Sequence, residues 1–397
     1  MKKTNTIIIG GGASGLMLAN MLDCEFLLFE RGDRVGKKLS ATGNGQGNLT
    51  NEKMDASHYF SVAKGGEETV RKILEENGKN EMISFFEDLG GLFLADERGR
   101  VYPTGRQASA LCDLLRFPLA RKNCIKLFAK VEKIERTQSG FVLSVSEEGK
   151  VEKYEAKNVV VATGGKVAKN FGSDGNGYQL VKPLSHTTTP LYPSLVQLKT
   201  ETKHLKSLKG IRVVGASVRA LLKDGICEER GDVIFTDYGV SGDAIFRISA
   251  HISHLIEETI TLSIDFLPDV EEEKLTEILA KKLADAKQGV DEVLCGILNN
   301  QLGRSVMKRV KEKTAPAIAS MVKNFTLPVL GTLGYDYAQV TKGGIPLEEV
   351  GEDLQSKKSK GLYFVGEILD VDGECGGYNL QWAFSSACAV AKALKGE

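Results

Sequence analysis

The chain has 397 residues, of which 42% are hydrophobic and 26% charged, the balance of a soluble globular protein with room for two or three domains. Lys plus Arg equals Asp plus Glu at 52 each, so no bulk basic field draws in nucleic acid or an anionic membrane. Seven scattered cysteines without a CxxC pair argue against a disulfide framework and for reduced thiols in a cytoplasmic protein.

In chain order, Met1-Lys2-Lys3 leads into a short apolar run that ends in glycines. A signal peptide needs a longer apolar region, and no stretch is long and apolar enough to span a bilayer. Residues 5–9 therefore read as a buried first strand, followed by Gly10–Gly15 and a helix over about 14–22. A second strand over Phe26–Glu30 completes a βαβ unit. Residues 31–51 are glycine-rich and polar, a long loop or the approach to a helix, and helical periodicity returns over 66–90. Residues 124–132, 140–146 and 158–162 read as strands, the last ended by Thr163-Gly164-Gly165, and 164–193 as a structured loop.

Composition changes after residue 191. Residues 194–247 look β-rich, and 270–322 look helical, with Leu275, Ile278, Leu279 and Leu283 on one face as ordinary core packing. Leu362–Gly366 is again a strand, and 379–394 a final alanine-rich helix. The two chain ends are alike in type and the middle differs, which predicts a discontinuous nucleotide domain with an insert.

Gly10-Gly11-Gly12-Ala13-Ser14-Gly15 carries the GxGxxG pattern between a strand and a helix, with Glu30 ending the next strand. Gly10 permits the tight turn, Gly12 lets backbone approach a diphosphate, and Gly15 lets the helix lie close to the sheet. The amides of Ala13 and Ser14 open the helix, whose N-terminus favours an anion. Glu30, with Arg31 beside it, can hold ribose hydroxyls, and its charge disfavours a 2′-phosphate. This first site suits NAD or FAD. The C-terminus separates them: Gly366-Glu367 ends a late strand, where an acidic side chain can reach ribityl hydroxyls. Gly373-Glu374-Cys375-Gly376-Gly377-Tyr378-Asn379-Leu380 then opens a helix whose free amides can face a flavin. A NAD domain has no reason to carry this second module, so the reading is FAD.

At these residues the chain resembles the BaiN/RdsA-type NAD(P)/FAD-dependent oxidoreductases, bacterial flavoproteins of which some are described as aminoacetone oxidases or bile-acid-dehydroxylation reductases. Five blocks carry the resemblance over essentially the whole chain: Ile8–Gly15; Gly36–Leu39 with Thr42–Gly45 and Asn48–Asn51; Ala162–Gly165 with Gly175–Tyr178 and Pro190–Leu195; Phe235–Gly242; and Gly361–Gln381. The resemblance implies an α/β fold. Its Rossmann-like FAD-binding domain is assembled from both chain ends (1–190 and 337–397). A β-barrel-like insert (191–250 and 322–336) and a helical subdomain (251–321) complete it. It further implies that Lys38 and Thr42-Gly43-Asn44 line the flavin cleft, that Thr163-Gly164 pass the diphosphate side, and that Val131 offers main-chain groups to adenine. Gly377, Asn379 and Leu380 fall to the flavin. One departure stands out: family members often read Arg-Cys where this chain has Gln46-Gly47.

Hydride transfer to or from flavin asks little of side chains beyond one acid or base. Cys375, Tyr378 and His186 are the candidates, with Tyr238 a further one. Each also has a plain structural reading. His251 and His254 lack further ligands, so no metal is expected. No second strand–GxGxxG–helix unit is present, so NAD(P)H is expected as a transient electron donor. The leading expectation is NAD(P)H-linked reduction of an unsaturated or carbonyl-conjugated small molecule, with neither nucleic acid nor membrane as partner. The alternatives are an amine oxidase using oxygen, a flavin-containing RNA-modifying protein, and a redox sensor.

Overall fold

Ile7, Ile8 and Ile9 are buried on both faces of their strand, because it runs through the middle of a sheet. Each such side chain contributes about 1.5–3 kcal/mol on burial. This computed structural model describes residues 1–203, 205–285 and 289–396. The strand Lys2–Ile9 pairs in parallel with Phe26–Phe29 on one side and with Lys150–Val161 on the other. Beyond Phe26–Phe29 lies the short parallel strand Ile125–Lys126. The long strand Lys150–Val161 has two further partners. Its first half pairs antiparallel with Phe141–Glu147, and its last residues pair in parallel with Leu362–Phe364 from the far end of the chain. Ala129–Arg136 closes the order as the antiparallel edge, giving seven strands.

This sheet belongs to a compact unit of Met1–Tyr192 and Val340–Glu397. The helix Ala13–Met21 packs on the C-terminal helix Tyr378–Lys395, and Leu16, Leu18, Trp382, Phe384 and Val390 share its core. Helices Glu67–Glu76, Lys79–Asp88 and Ala108–Ala120 bury their apolar faces in the same core. The expected α/β, Rossmann-like fold built from both chain ends is borne out. The expected loop 164–193 holds a short helix, Asn176–Val181, set off by Gly175 at positive φ.

The second unit is Pro193–Gln339. Its closed six-stranded barrel runs Leu198–Thr200, Gly239–Ser241, Gly225–Phe235, Arg212–Leu222, Thr261–Asp265 and Phe325–Thr332. Helices Asp243–Ile252, Glu272–Ala284, Asn300–Arg309 and Ala315–Lys323 share one apolar core with it around Phe235, Phe266 and Phe325. The strand Thr261–Asp265 falls within 251–321, the range that the resemblance gives to a helical subdomain; its buried Leu262, Ser263 and Ile264 serve the barrel. Among the described residues no helix is long and apolar enough to cross a membrane. None of the seven cysteines is joined in a disulfide.

Candidate nucleotide site

The glycine turn is built by close approach. Gly10 has φ +108°, and a Cβ there would come within 2.5 Å of the Ala162 carbonyl oxygen. A Cβ on Gly15 would sit 2.0 Å from the Gly10 oxygen, so the helix can lie against the strand end only with glycine there. Gly12 differs: a Cβ there would meet nothing within 4 Å. Leu16 N–H makes the first helical bond, to Gly12, so the amides of Ala13, Ser14 and Gly15 precede the ladder and face the open space. Glu30 braces this turn. Its Oε2 accepts from Gly11 N–H at 2.9 Å and its Oε1 from Gly32 N–H at 2.7 Å. Arg31 pairs with Asp174 at 2.8 Å and reaches the Gly172 carbonyl. Val131 is buried in the strand Ala129–Arg136, whose start is tied to the same loop by Ala129 N–H to Glu30 O and Phe128 N–H to Gly32 O.

The opposite chain end meets this turn directly. Gly366 has φ +73°, and a Cβ on it would lie 2.7 Å from Ser14 Oγ. Its N–H donates to Ser386 Oγ at 2.9 Å. Glu367 then accepts from Thr341 N–H through Oε1 (2.8 Å) and pairs with Lys38 Nζ through Oε2 (2.5 Å). Gly164 (φ +70°) and Gly165 pass beside it, since a Cβ on Gly165 would come 2.9 Å from Glu367 Oε1. Thr163 Oγ1 is buried and has no hydrogen-bond partner among the described residues, and the same holds for Asn48 Oδ1. Thr42, Gly43 and Asn44 form a tight turn after Lys38, with Gly45 and Gly47 N–H on Thr42 O and positive φ at Gly43 and Asn44.

The loop after Asp372 is closed by Asn379, which accepts from Gly373 N–H (2.9 Å) and donates to Gly373 O (2.7 Å). Gly377, φ +105°, would place a Cβ 2.4 Å from Thr50 O. Gln381 N–H bonds to Gly377 O, so the amides of Tyr378, Asn379 and half-buried Leu380 open the helix outside its ladder. Cys375 is half-buried, within electrostatic reach of Arg100 and Tyr102.

At the departure from the family pattern, Arg106 Nη1 donates to Gln46 Oε1 at 3.3 Å while its guanidinium stacks 4.1 Å from the Tyr102 ring. A guanidinium thus reaches this spot from another part of the chain. Gly47 has φ +76°, and a Cβ there would meet Ala108 Cα at 2.9 Å, so this backbone has no room for a cysteine.

The acid–base candidates separate. His186 is buried away from the loop, its Nδ1 2.6 Å from Glu349 Oε2 and its Nε2 2.8 Å from Ser356 Oγ. Ser356 Oγ already accepts from the amides of Lys358 and Ser359, so its hydroxyl donates to Nε2 and Nδ1–H donates to Glu349. Burial, only partly offset by Glu349, pulls this imidazole below its ordinary value. His186 is held neutral with both nitrogens in use. Tyr378 opens the C-terminal helix, and burial pushes its hydroxyl up to about 12. Tyr238 belongs to the second unit, in the turn Thr236–Gly239. His251 there lies 3.6 Å from Glu229, and no group of three or more metal-ligating side chains forms among the described residues.

Sequence reasoning missed His58 and Glu374, whose Nδ1 and Oε2 lie 3.0 Å apart beside the C-terminal loop. It also missed the buried pair Lys342–Asp372 at 3.0 Å and buried Asp370, which accepts from Val62 and Ala63 N–H. No motif marks His58 or Lys342, while Glu374, Asp370 and Asp372 lie in the C-terminal block without a role read for them. They meet because the strand Asp372–Gly373 pairs with Tyr59–Phe60.

A flavin dinucleotide fits the first unit. Open space over Gly12 faces helix amides for a diphosphate, Glu367 and the unpartnered Thr163 hydroxyl offer polar groups further on, and a second helix start lies at Tyr378–Leu380. Bound there, such a group supplies hydride chemistry.

Residues 4–393 match the family model for the HI0933-like protein Rossmann domain. The chain is 36% identical over 409 residues to a 3-dehydro-bile acid delta(4,6)-reductase of Clostridium scindens, covering 97% of this chain and 98% of that one. It is 29% identical over 412 residues to a ribosomal RNA dihydrouridine synthase of Haemophilus influenzae, covering 98% of each. The fold is similar to that of the 3-ketosteroid-delta4-(5alpha)-dehydrogenase from Rhodococcus jostii, at TM-score 0.54, 14% identity, 99% of this chain and 97% of that one. The resemblance carried by the five sequence blocks is borne out: the chain belongs to the HI0933-like Rossmann family, a family of flavoprotein oxidoreductases.

Proposed function

We propose that this protein holds FAD in the two-ended cradle of its first unit and uses it to saturate a carbon–carbon double bond conjugated to a carbonyl, with NAD(P)H as a transient electron donor. The cradle carries the reading: open Gly12 from one chain end and Glu367 from the other, paired with Lys38, both follow the ends of parallel sheet strands. The substrate class is supported by the names of two full-length relatives. A delta(4,6)-reductase and a dihydrouridine synthase both add hydrogen across a double bond. The transient donor is supported by the single glycine fingerprint, which leaves a nicotinamide nucleotide without a fold of its own.

A second reading shares this chemistry but not the substrate's size. The rRNA-directed relative makes a uracil ring within RNA a candidate, and a net charge of zero does not decide against it.

The test is anaerobic. NADH or NADPH should bleach the flavin of the purified holoprotein, and a 3-oxo-Δ4 steroid should restore its colour. Reoxidation by unmodified ribosomal RNA instead would select the second reading. No bleaching with either nucleotide sinks the donor assignment. Peroxide formation from an aminoketone without pyridine nucleotide would select an amine oxidase.

A further inference from the structure

His58 ends the short turn Ala56–His58 and precedes the strand Tyr59–Phe60. Its carbonyl accepts from Glu374 N–H at 3.0 Å, and the pairing of Tyr59 with Gly373 sets it against the loop that opens the C-terminal helix. Its Nδ1 lies 3.0 Å from Glu374 Oε2, and its ring stacks on Tyr378 with centroids 4.6 Å apart at 27°. The groups facing the ring are thus Glu374 from the loop, Tyr378 from the helix and Asp55 from its own turn. Asp55 is turned away to Ser57, and its Oδ2 stays 3.9 Å from His58 Nε2. Among the described residues Nε2 therefore has no partner within hydrogen-bond range. The side chain is 26% exposed, unlike that of His186, which is fully enclosed.

A carboxylate on one nitrogen, an aromatic plane on one face and an open second nitrogen make an oriented imidazole. We propose that His58 is the proton donor of the reductive step and Glu374 its positioning residue, an inference that rests on the double-bond reductase reading above. Saturating a conjugated double bond takes one hydride and one proton. A reduced flavin held in the cradle would supply the hydride with its electron pair to the carbon β to the carbonyl, the substrate being reduced and the flavin oxidised. The proton leaves Nε2 of the His58 imidazolium and forms the C–H bond at the α carbon. The N–H electrons stay on the ring, leaving neutral His58 with Nδ1–H on Glu374, and water restores the proton.

The test uses holoprotein photoreduced without pyridine nucleotide, mixed anaerobically with a conjugated enone or with ribosomal RNA, and followed by flavin reoxidation across pH. The wild-type rate should fall as pH rises. H58Q should slow reoxidation by about a hundredfold to ten-thousandfold and lose that alkaline limb, and imidazole should partly rescue H58A. E374L, which leaves the ring without its carboxylate, should slow reoxidation by less than H58Q does. In the apoprotein, nitrogen NMR of labelled histidine should show the Nδ1–H tautomer for neutral His58, and E374L, which has no acceptor, should lose it. A wild-type rate and unchanged limb in H58Q, or an Nε2–H tautomer, overturns the proposal while leaving the reductase reading intact. Should H58Q fail to fold or to hold FAD, an unchanged His58 tautomer in E374L overturns it equally. If neither enone nor RNA reoxidises the wild type, the reductase reading fails and this proposal with it.

Discussion

Lys38 Nζ and Glu367 Oε2 lie 2.5 Å apart across 329 positions of sequence, joining the segment after the first βαβ unit to the end of the last sheet strand. Both side chains are mostly buried, at 28% and 19% exposure, and Thr341 N–H holds the second carboxylate oxygen. The pair fixes the acid that a ribityl chain would meet. E367Q keeps an acceptor for Thr341 but loses the charge. Charge-assisted hydrogen bonds are worth about 1.5–3 kcal/mol, so FAD affinity should fall about tenfold or more. Fluorescence titration of apoprotein with FAD measures it; an unchanged Kd would remove Glu367 from the site.

The three fingerprint glycines should behave differently. G15A would force a Cβ to 2.0 Å from the Gly10 carbonyl, and G10A would add positive φ to a 2.5 Å clash. Both should lower the melting temperature of the apoprotein. G12A has open space and should melt like the parent. Its methyl group would instead stand where a diphosphate approaches, so FAD binding should be the property it loses. Normal FAD affinity in G12A would place the diphosphate elsewhere.

Glu30 has a task before any ligand arrives, because its two oxygens hold the amides of Gly11 and Gly32. E30A leaves both donors without their partner. Each such loss costs about 1–3 kcal/mol when the group stays buried, so E30A should destabilise the apoprotein as well as weaken FAD. E30Q, with one acceptor oxygen, should fall between. Urea unfolding of the apoproteins separates the two effects; an E30A apoprotein as stable as the parent would show the bracing to be negligible.

The cradle was legible from sequence because its parts are local. A strand, three glycines, a helix and an acid follow one another within one βαβ unit; Gly10 answers to the adjacent strand end and Gly15 to a contact a few residues away, while Gly12 leaves open space. Gly366-Glu367 and Gly377–Leu380 were legible as a strand end and a helix start, but their contacts with Ser14, Lys38 and Thr50 were not, because these lie more than three hundred positions away. What was not legible depends on which strands pair. His58 meets Glu374, and Phe60 meets Asp372, only through a two-residue antiparallel contact between segments more than three hundred positions apart. Arg106 likewise reaches Gln46 through the fold, so the position that seemed to have lost an arginine has a guanidinium beside it. His186 misled in the opposite way. It follows a glycine-rich segment, yet Ser356 and Glu349 enclose both its nitrogens.

That enclosure gives His186 a pH signature. Burial holds its folded-state value below the ordinary 6.5, with Glu349 offsetting only part of the shift. The unfolded chain therefore takes up this proton near pH 6.5 while the folded chain still refuses it. Below that pH the unfolded state binds more protons, so stability falls as pH drops, and the contribution is fully present above it. Glu349, held low in the fold, adds a loss only at more acid pH, below its ordinary 4.5. H186Q keeps a donor and an acceptor but cannot titrate. Its unfolding midpoint in urea should be lower than the parent's at pH 8, and the gap should narrow between pH 6.5 and 5 as the parent loses stability that the variant never had. A gap that stays constant over that range would mean His186 titrates alike in both states, and the enclosure by Ser356 and Glu349 would then carry no linkage.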